Sequence, residues 1–183
     1  MKGLAKFLLR ILGWKPIYET IPDIKKCLII GVPHTSAWDF VISWLYYTSD
    51  GRTANILIKK EFFIWPIAGV LRRMGGVPID RSRGANVIRQ TIQHINKVDY
   101  CHLAVAPEGT RKKTKKWKAG FHMIAKETGI PVYLGSFDWG RKEITVGDPF
   151  ELTDDASADI KRMKEYYRNK NVRGKFPEMF TTE

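Results

Sequence analysis

KKCLIIGVPHTSAWDFVISWLYYTS, residues 25–49, reads as a strand, a polar loop and a helix in immediate succession. Residues 25–32 open on two lysines and continue as an apolar run over 27–32 without polar alternation, the pattern of a strand buried on both faces. Over residues 38–49 the apolar positions fall at helical spacing instead. Working outward, the alternation repeats. Strands are expected over residues 54–59, 77–79, 101–106, 132–137 and 143–146, and helices over 65–74, 85–98, 119–128 and 158–168. Pro66 stands near the start of its helix, where the missing N–H is not needed. The last helix follows an acidic segment that suits a positive helix terminus. Repeated strand–helix units predict an α/β fold, with a mainly parallel central sheet flanked by helices on both faces. A chain of 183 residues, 44% hydrophobic, suits a single domain with one substantial core. Residues 1–22 read as an amphipathic amino-terminal helix and lead-in, and residues 23–183 as that domain.

Loops that follow strands in such sheets gather at the strands' carboxyl ends, where ligands bind. Three carry unusual chemistry: PHTSAWDF at 33–40, DRSRG at 80–84 and PEGTRKKTKKWKAG at 107–120. His34 and Asp39 would sit about 140° apart on a regular helix and would not touch. If His34 lies in the loop and the helix starts at Thr35 or Ser36, Asp39 falls in the first turn and reaches back to the ring. A carboxylate on Nδ1–H fixes the tautomer and leaves Nε2 free to accept a proton, so His34 is a candidate general base. Ser36 to Asp39 also fits S-x-x-D, a helix-capping pattern, and that reading stays open beside the catalytic one. No G-x-S-x-G elbow occurs, and neither Cys27 nor Cys101 adjoins these residues. The substrate would bring its own nucleophile.

In PEGTR, Glu108, Gly109, Thr110 and Arg111 directly follow a strand. Glycine there lets backbone amides approach an anion, and arginine can fork onto phosphate oxygens. Arg81 arrives from a second loop, after GGVPID, and two guanidiniums at one sheet edge would hold a phosphate dianion better than one. The plain alternative for Arg81 is an ion pair with Asp80 or Glu108. Residues 111–118, RKKTKKWK, carry six basic side chains and no acid. They read as a solvated loop or as an attractant for membrane or cofactor phosphates.

The formal charge of +12 calls for an anionic partner, whether phosphate, membrane or nucleic acid. Two cysteines in apolar runs exclude a disulfide framework and point to a reducing compartment. No apolar stretch approaches the roughly 20 residues of a spanning helix. The terminus MKGLAKFLLRILGWK has Arg10 inside its apolar centre and no small-residue cleavage site, so it is expected to be retained. Lys2, Lys6 and Arg10 recur at i, i+4 and i+8, which makes a basic amphipathic helix that either packs on its own domain or lies in a membrane interface. Phe62, Phe63, Trp65, Ile67, Val70 and Leu71, beside Arg72 and Arg73, read as core, as a second lipid contact or as an acyl tunnel. Two other function classes stand beside an enzyme of this kind. A nucleic-acid-binding module would use the basic charge but lacks a recognisable signature. A metal hydrolase built on His34, Asp39, His94, His102 or His122 lacks convincing ligand spacing, and no metal site is expected.

Taken together and in this order, HTSAWD, GGVPIDR, PEGTR and GIPVY resemble the four sequence blocks of the glycerolipid acyltransferase family, over residues 29–137. The resemblance implies a 1-acylglycerol-3-phosphate O-acyltransferase-like enzyme. It would move a fatty acyl chain from a thioester, acyl-CoA or acyl carrier protein, to a hydroxyl of lysophosphatidic acid or a related lysophospholipid. His34 would be the general base oriented by Asp39, and Arg81 would hold the acceptor phosphate. Glu108, Gly109, Thr110 and Arg111 would bind the acceptor, with Ile130 and Pro131 in the acceptor and acyl pocket. No cofactor is implied beyond the thioester co-substrate. The expected partners are the lipid acceptor, the acyl donor and a membrane surface, without nucleic acid, at a cytoplasmic and peripheral location. Glycerol-3-phosphate or a nonphosphate lipid remain alternative acceptors. The chain departs from the family in Pro33, Pro78 and Lys112, where asparagine, phenylalanine and serine are frequent.

Overall fold

A computed structural model describes residues 1–82 and 84–183; Arg83, in the DRSRG loop, lies outside the described residues. A helix, α1 (Lys2–Ile11), and a two-residue strand, β1 (Lys15–Pro16), lead into β2 (Lys26–Val32). Then follow α2 (Trp38–Asp50), β3 (Ala54–Lys59), α3 (Ile67–Arg73), β4 (Gly76–Ile79), α4 (Gly84–Lys97) and β5 (Cys101–Val105). The chain continues through α5 (Gly120–Thr128), β6 (Val132–Asp138), β7 (Glu143–Thr145), β8 (Pro149–Phe150) and α6 (Ala156–Asn169). The strands form one sheet in the order β1-β7-β6-β2-β5-β3-β4, with β8 also on β6. β6, β2, β5, β3 and β4 run parallel, and β7 and β8 oppose β6. This is the mainly parallel α/β architecture expected from the alternation.

β2 shows why the run at 26–32 lacks polar alternation. Leu28, Ile30 and Val32 point into one core with α4, α5 and α6, which contribute Ile95, Phe121, Ile124, Met163 and Tyr167. Cys27 and Ile29 point into the other, with Ala5 and Leu9 of α1 and Ile42, Leu45, Tyr46 and Tyr47 of α2. Both faces are dry, so both parities are apolar. Glycines mark two helix ends: Gly51 (φ 98°) after α2 and Gly129 (φ 67°) after α5 both adopt the left-handed conformation that stops a helix. Asp155 caps α6, accepting from the N–H groups of Ser157 at 2.8 Å and Ala158 at 3.0 Å.

Two features decide where a site can form. The connection leaving β2 passes through α2 on one face of the sheet, whereas the one leaving neighbouring β5 passes through α5 on the other. The connections therefore diverge at the carboxyl ends of β2 and β5, the position at which open α/β sheets form a ligand-binding crevice. Helix α1 adds to the second core through Ala5 and Leu9, both buried, while Leu4 (62%), Phe7 (57%) and Ile11 (65%) face outward. The core reading of the segment after β3 fails: Phe62 (60% exposed), Trp65 (91%), Ile67 (49%) and Val70 (57%) face outward together with Ile64 (60%), Phe63 and Leu71 are only half-buried, and α3 buries no residue. With seven residues, α3 is too short to cover the sheet, and the segment instead forms an apolar rim at the carboxyl-end edge.

Candidate active site

The site starts from the end of β2. Residues 33–37 leave the strand as an irregular loop, and α2 begins at Trp38, where the helical spacing over 38–49 starts and two or three residues beyond the Thr35 or Ser36 start considered for the pairing. Asp39 still falls in the first turn, 1% exposed, and His34 stays in the loop. His34 Nδ1 lies 3.2 Å from Asp39 Oδ2. The same oxygen accepts the backbone N–H groups of Thr35 at 3.0 Å and Ser36 at 2.9 Å. The capping and the catalytic readings thus describe one carboxylate: it ties the loop to the start of α2 and orients the ring. Because a carboxylate only accepts, the proton of the neutral imidazole sits on Nδ1. Nε2 has no hydrogen-bond partner among the described residues, and the side chain is 31% exposed. A histidine held in this way can take a proton from a ligand in the crevice.

The second oxygen of Asp39 reaches a residue that spacing did not reveal. Trp139, just past the end of β6, donates its indole N–H to Asp39 Oδ1 at 2.8 Å. The segment after α6 also returns to this edge. The Trp139 N–H donates to the Arg173 carbonyl at 2.8 Å, and the Phe176 N–H to Thr35 Oγ1 at 3.3 Å. The Lys175 ammonium lies 5.0 Å from the ring centres of both Trp38 and Trp139. No periodicity or motif marks these residues, because their role arises from adjacent strand ends and not from chain proximity.

From β5 comes Glu108. It is 5% exposed; Oε1 accepts the His34 backbone N–H at 3.1 Å, and Oε2 has no partner among the described residues. Burial pushes its carboxyl up from the ordinary range to about 7; the His34 N–H and ring oppose this, and Asp39 adds to it. Folding therefore favours the protonated acid. The stability it contributes is full below the unfolded value near 4.5 and is lost as pH rises to about 7. Glu108→Gln, which keeps an acceptor for His34, should remove this dependence. Thermal melts from pH 4 to 8 are expected to show the variant gaining on the wild type as pH rises, by up to about 3 kcal/mol. Parallel melting curves would contradict the buried-acid reading.

The rest of PEGTR lies at the surface. Gly109 (φ 63°) makes the turn, with its N–H on the Ala106 carbonyl at 3.0 Å. Thr110 Oγ1 accepts the Lys112 N–H at 3.1 Å. Arg111 is exposed and without a carboxylate partner among the described residues. The basic loop is pinned: Trp117 is buried in the first core and the Lys118 N–H donates to the Pro107 carbonyl at 2.7 Å, leaving Lys112, Lys113, Lys115, Lys116 and Lys118 exposed on the loop that follows β5.

Arg81 follows β4 at the same sheet edge. It pairs with neither Asp80, which binds Lys60 at 2.6 Å, nor Glu108. Its guanidinium donates to the Leu57 carbonyl of β3 and so bends toward the sheet centre. β4 lies three strand positions from β2, about 14 Å at the usual inter-strand spacing. Ile130 and Pro131 are not brought to this site. They precede β6, whose Val132 pairs with Leu28 at the opposite end of β2. Six residues at about 3.3 Å each separate that level from His34, roughly 20 Å. In a parallel sheet, residues before a strand and residues after its neighbour lie at opposite edges. Pro131 instead accepts the Leu28 N–H at 2.9 Å, and Ile130 packs on the first core.

The cysteines take no part: burial pushes the Cys27 thiol up to about 12 and the Cys101 thiol up to about 11, far from the thiolate a nucleophile needs. His102 is enclosed between the Tyr47 hydroxyl at 3.1 Å and the Ile24 carbonyl at 2.8 Å. His122 reaches the Thr153 carbonyl at 3.0 Å. Among the described residues no group of three or more His, Cys, Asp or Glu side chains is placed to hold a metal ion, and no helix is long and apolar enough to cross a membrane.

The Acyltransferase family model matches residues 17–133, which is more than half of the chain and contains His34, Asp39, Arg81 and PEGTR. The chain belongs to the acyltransferase family. Its fold is similar to the crystal structure of the 1-acyl-sn-glycerophosphate (LPA) acyltransferase PlsC from Thermotoga maritima, with a TM-score of 0.63, 19% identity and coverage of 94% of this chain and 79% of that one. No curated protein gives a match.

Proposed function

We propose that this acyltransferase is an O-acyltransferase that moves a fatty acyl chain from a thioester, acyl-CoA or acyl carrier protein, to a hydroxyl of lysophosphatidic acid or a related lysophospholipid. The observation that carries the reading is the His34–Asp39 pair at the carboxyl end of β2, with Nε2 unpartnered among the described residues. His34 takes the hydroxyl proton as the oxygen attacks the thioester carbonyl. The C–S bond then breaks, the sulfur leaves as a thiolate, and the protonated ring gives its proton to it to form the thiol. A thiol of reference pKa about 8.5 leaves readily near neutral pH, so no covalent acyl-enzyme is needed. Arg111 from the β5 loop and Arg81 from the β4 loop hold the acceptor phosphate at the same edge. The surrounding lysines raise the local concentration of anionic donor and lipid.

Both substrates carry long apolar chains, so the crevice must meet a lipid surface. Leu4, Phe7 and Ile11 form an exposed stripe at i, i+3 and i+7, flanked by Lys2, Lys6 and Arg10. Trp14, just past α1, lies edge-on to Trp139 with ring centres 4.9 Å apart, so the helix ends beside the catalytic edge. The rim at Phe62, Ile64 and Trp65 follows β3 at that same edge. These features support a peripheral enzyme on an anionic leaflet, the cytoplasmic one in this reading.

A panel of acceptors in mixed vesicles with one radiolabelled acyl thioester tests the assignment. Lysophosphatidic acid and other phosphate-bearing lysolipids are expected to take label, with thiol release dependent on acceptor. Equal transfer to a nonphosphate lysolipid would remove the phosphate site, and label confined to glycerol-3-phosphate would move the reaction one acylation earlier.

A further inference from the structure

We infer that Trp139 is a positioning residue for acyl transfer, acting through Asp39; the inference rests on the reading of His34 as the base. Asp39 is 1% exposed, and each of its oxygens is engaged: Oδ2 by His34 Nδ1 and the N–H groups of Thr35 and Ser36, Oδ1 by the Trp139 indole at 2.8 Å. The three Oδ2 contacts all come from the loop that carries the base, and all fall on one oxygen of the carboxylate. The indole comes from the turn just past β6, one hundred residues away in sequence. It holds the second carboxylate oxygen from outside that loop, and so fixes the carboxylate plane that orients the His34 ring.

The indole is itself restrained by its neighbours. Its backbone N–H donates to the Arg173 carbonyl, the Trp14 ring meets it edge-on at 4.9 Å, and the ammonium groups of Lys142 and Lys175 lie 4.6 Å and 5.0 Å from its ring centre. A hydrogen bond to a buried carboxylate from so restrained a donor is strong and directional. The donor lies outside the residues matched by the family model, which end at 133. The segment after α6 belongs to the same assembly: a Cβ on Gly174 would meet Thr35 Oγ1 at 2.6 Å, so the chain passes directly over the loop that Asp39 organises.

Trp139→Phe keeps the ring contacts and removes the N–H. It is expected to lower kcat by about 10- to 100-fold, the loss typical of one charge-assisted bond, with KM for donor and acceptor unchanged. In an Asp39→Ala background, where nothing remains for the indole to orient, the same substitution is expected to have no further effect on kcat. An equal loss in both backgrounds, or full kcat in folded Trp139→Phe while His34→Ala is inactive, would overturn the positioning role and leave the base assignment standing. A His34→Ala variant as active as the wild type would instead defeat that assignment. If Trp139→Phe does not fold, or if no acceptor has been found, the indole N–H resonances decide. Among the six tryptophans of the 15N-labelled protein, that of Trp139 should move most when Asp39 is changed to Asn, and an unmoved resonance would overturn the inference.

Discussion

His34→Ala is expected to lower kcat by about 10²- to 10⁴-fold, the contribution typical of one placed general base, and to leave the fold intact. The imidazole is one-third exposed, and Asp39 is its hydrogen-bond partner. After its removal Asp39 keeps the Thr35, Ser36 and Trp139 donors, and the His34 backbone N–H keeps Glu108. No buried group loses its last partner, so thermal unfolding should be close to that of the wild type. KM should change little, because the ring binds the reacting proton and not the phosphate. Acyl-transfer kinetics beside a thermal melt check both halves; unchanged turnover would remove the base from the account.

The second large effect concerns the lipid surface. Removing residues 1–14 would also remove Ala5, Leu9 and Trp14 from the second core, and loss of binding would then report on folding. Phe7→Glu with Ile11→Glu avoids this, since both side chains are more than half exposed. Each apolar side chain buried in an interface contributes about 1.5–3 kcal/mol, and each new carboxylate is repelled by an anionic leaflet. Together these should weaken binding to anionic vesicles by at least about 100-fold. Flotation measures it directly. Turnover on vesicle-embedded acceptor should fall in parallel, while the melting temperature and turnover on a short-chain soluble acceptor hold. Undiminished flotation would take α1 out of the membrane contact.

The central strands were legible because burial on both faces leaves an uninterrupted apolar run, as in residues 26–32. β1 and β8 were not: each has two residues, one of them proline, and exists only because a neighbouring strand supplies its partner. The pairing of His34 with Asp39 was legible from a five-residue offset once the histidine was placed before the helix. Glu108 was visible as a motif residue, yet its burial against the His34 backbone depends on β2 and β5 being neighbours, which sequence order does not state. Trp139 and the segment after α6 carry no local signature, since both matter only through strands that meet in space. Ile130 and Pro131 show the converse. They are conspicuous in sequence, but the parallel direction of β6 sends them to the far edge. The apolar segment after β3 was ambiguous because hydrophobicity alone does not distinguish a core from an exposed rim.

The most direct test follows one turnover of a radiolabelled acyl thioester with the wild type and His34→Ala, each with and without lysophosphatidic acid. The wild type should release thiol and form labelled phosphatidic acid only when the acceptor is present, and the variant should do neither at a comparable rate. A stoichiometric release of thiol without acceptor, or equal product from the variant, would contradict a mechanism in which His34 delivers the acceptor hydroxyl directly to the thioester.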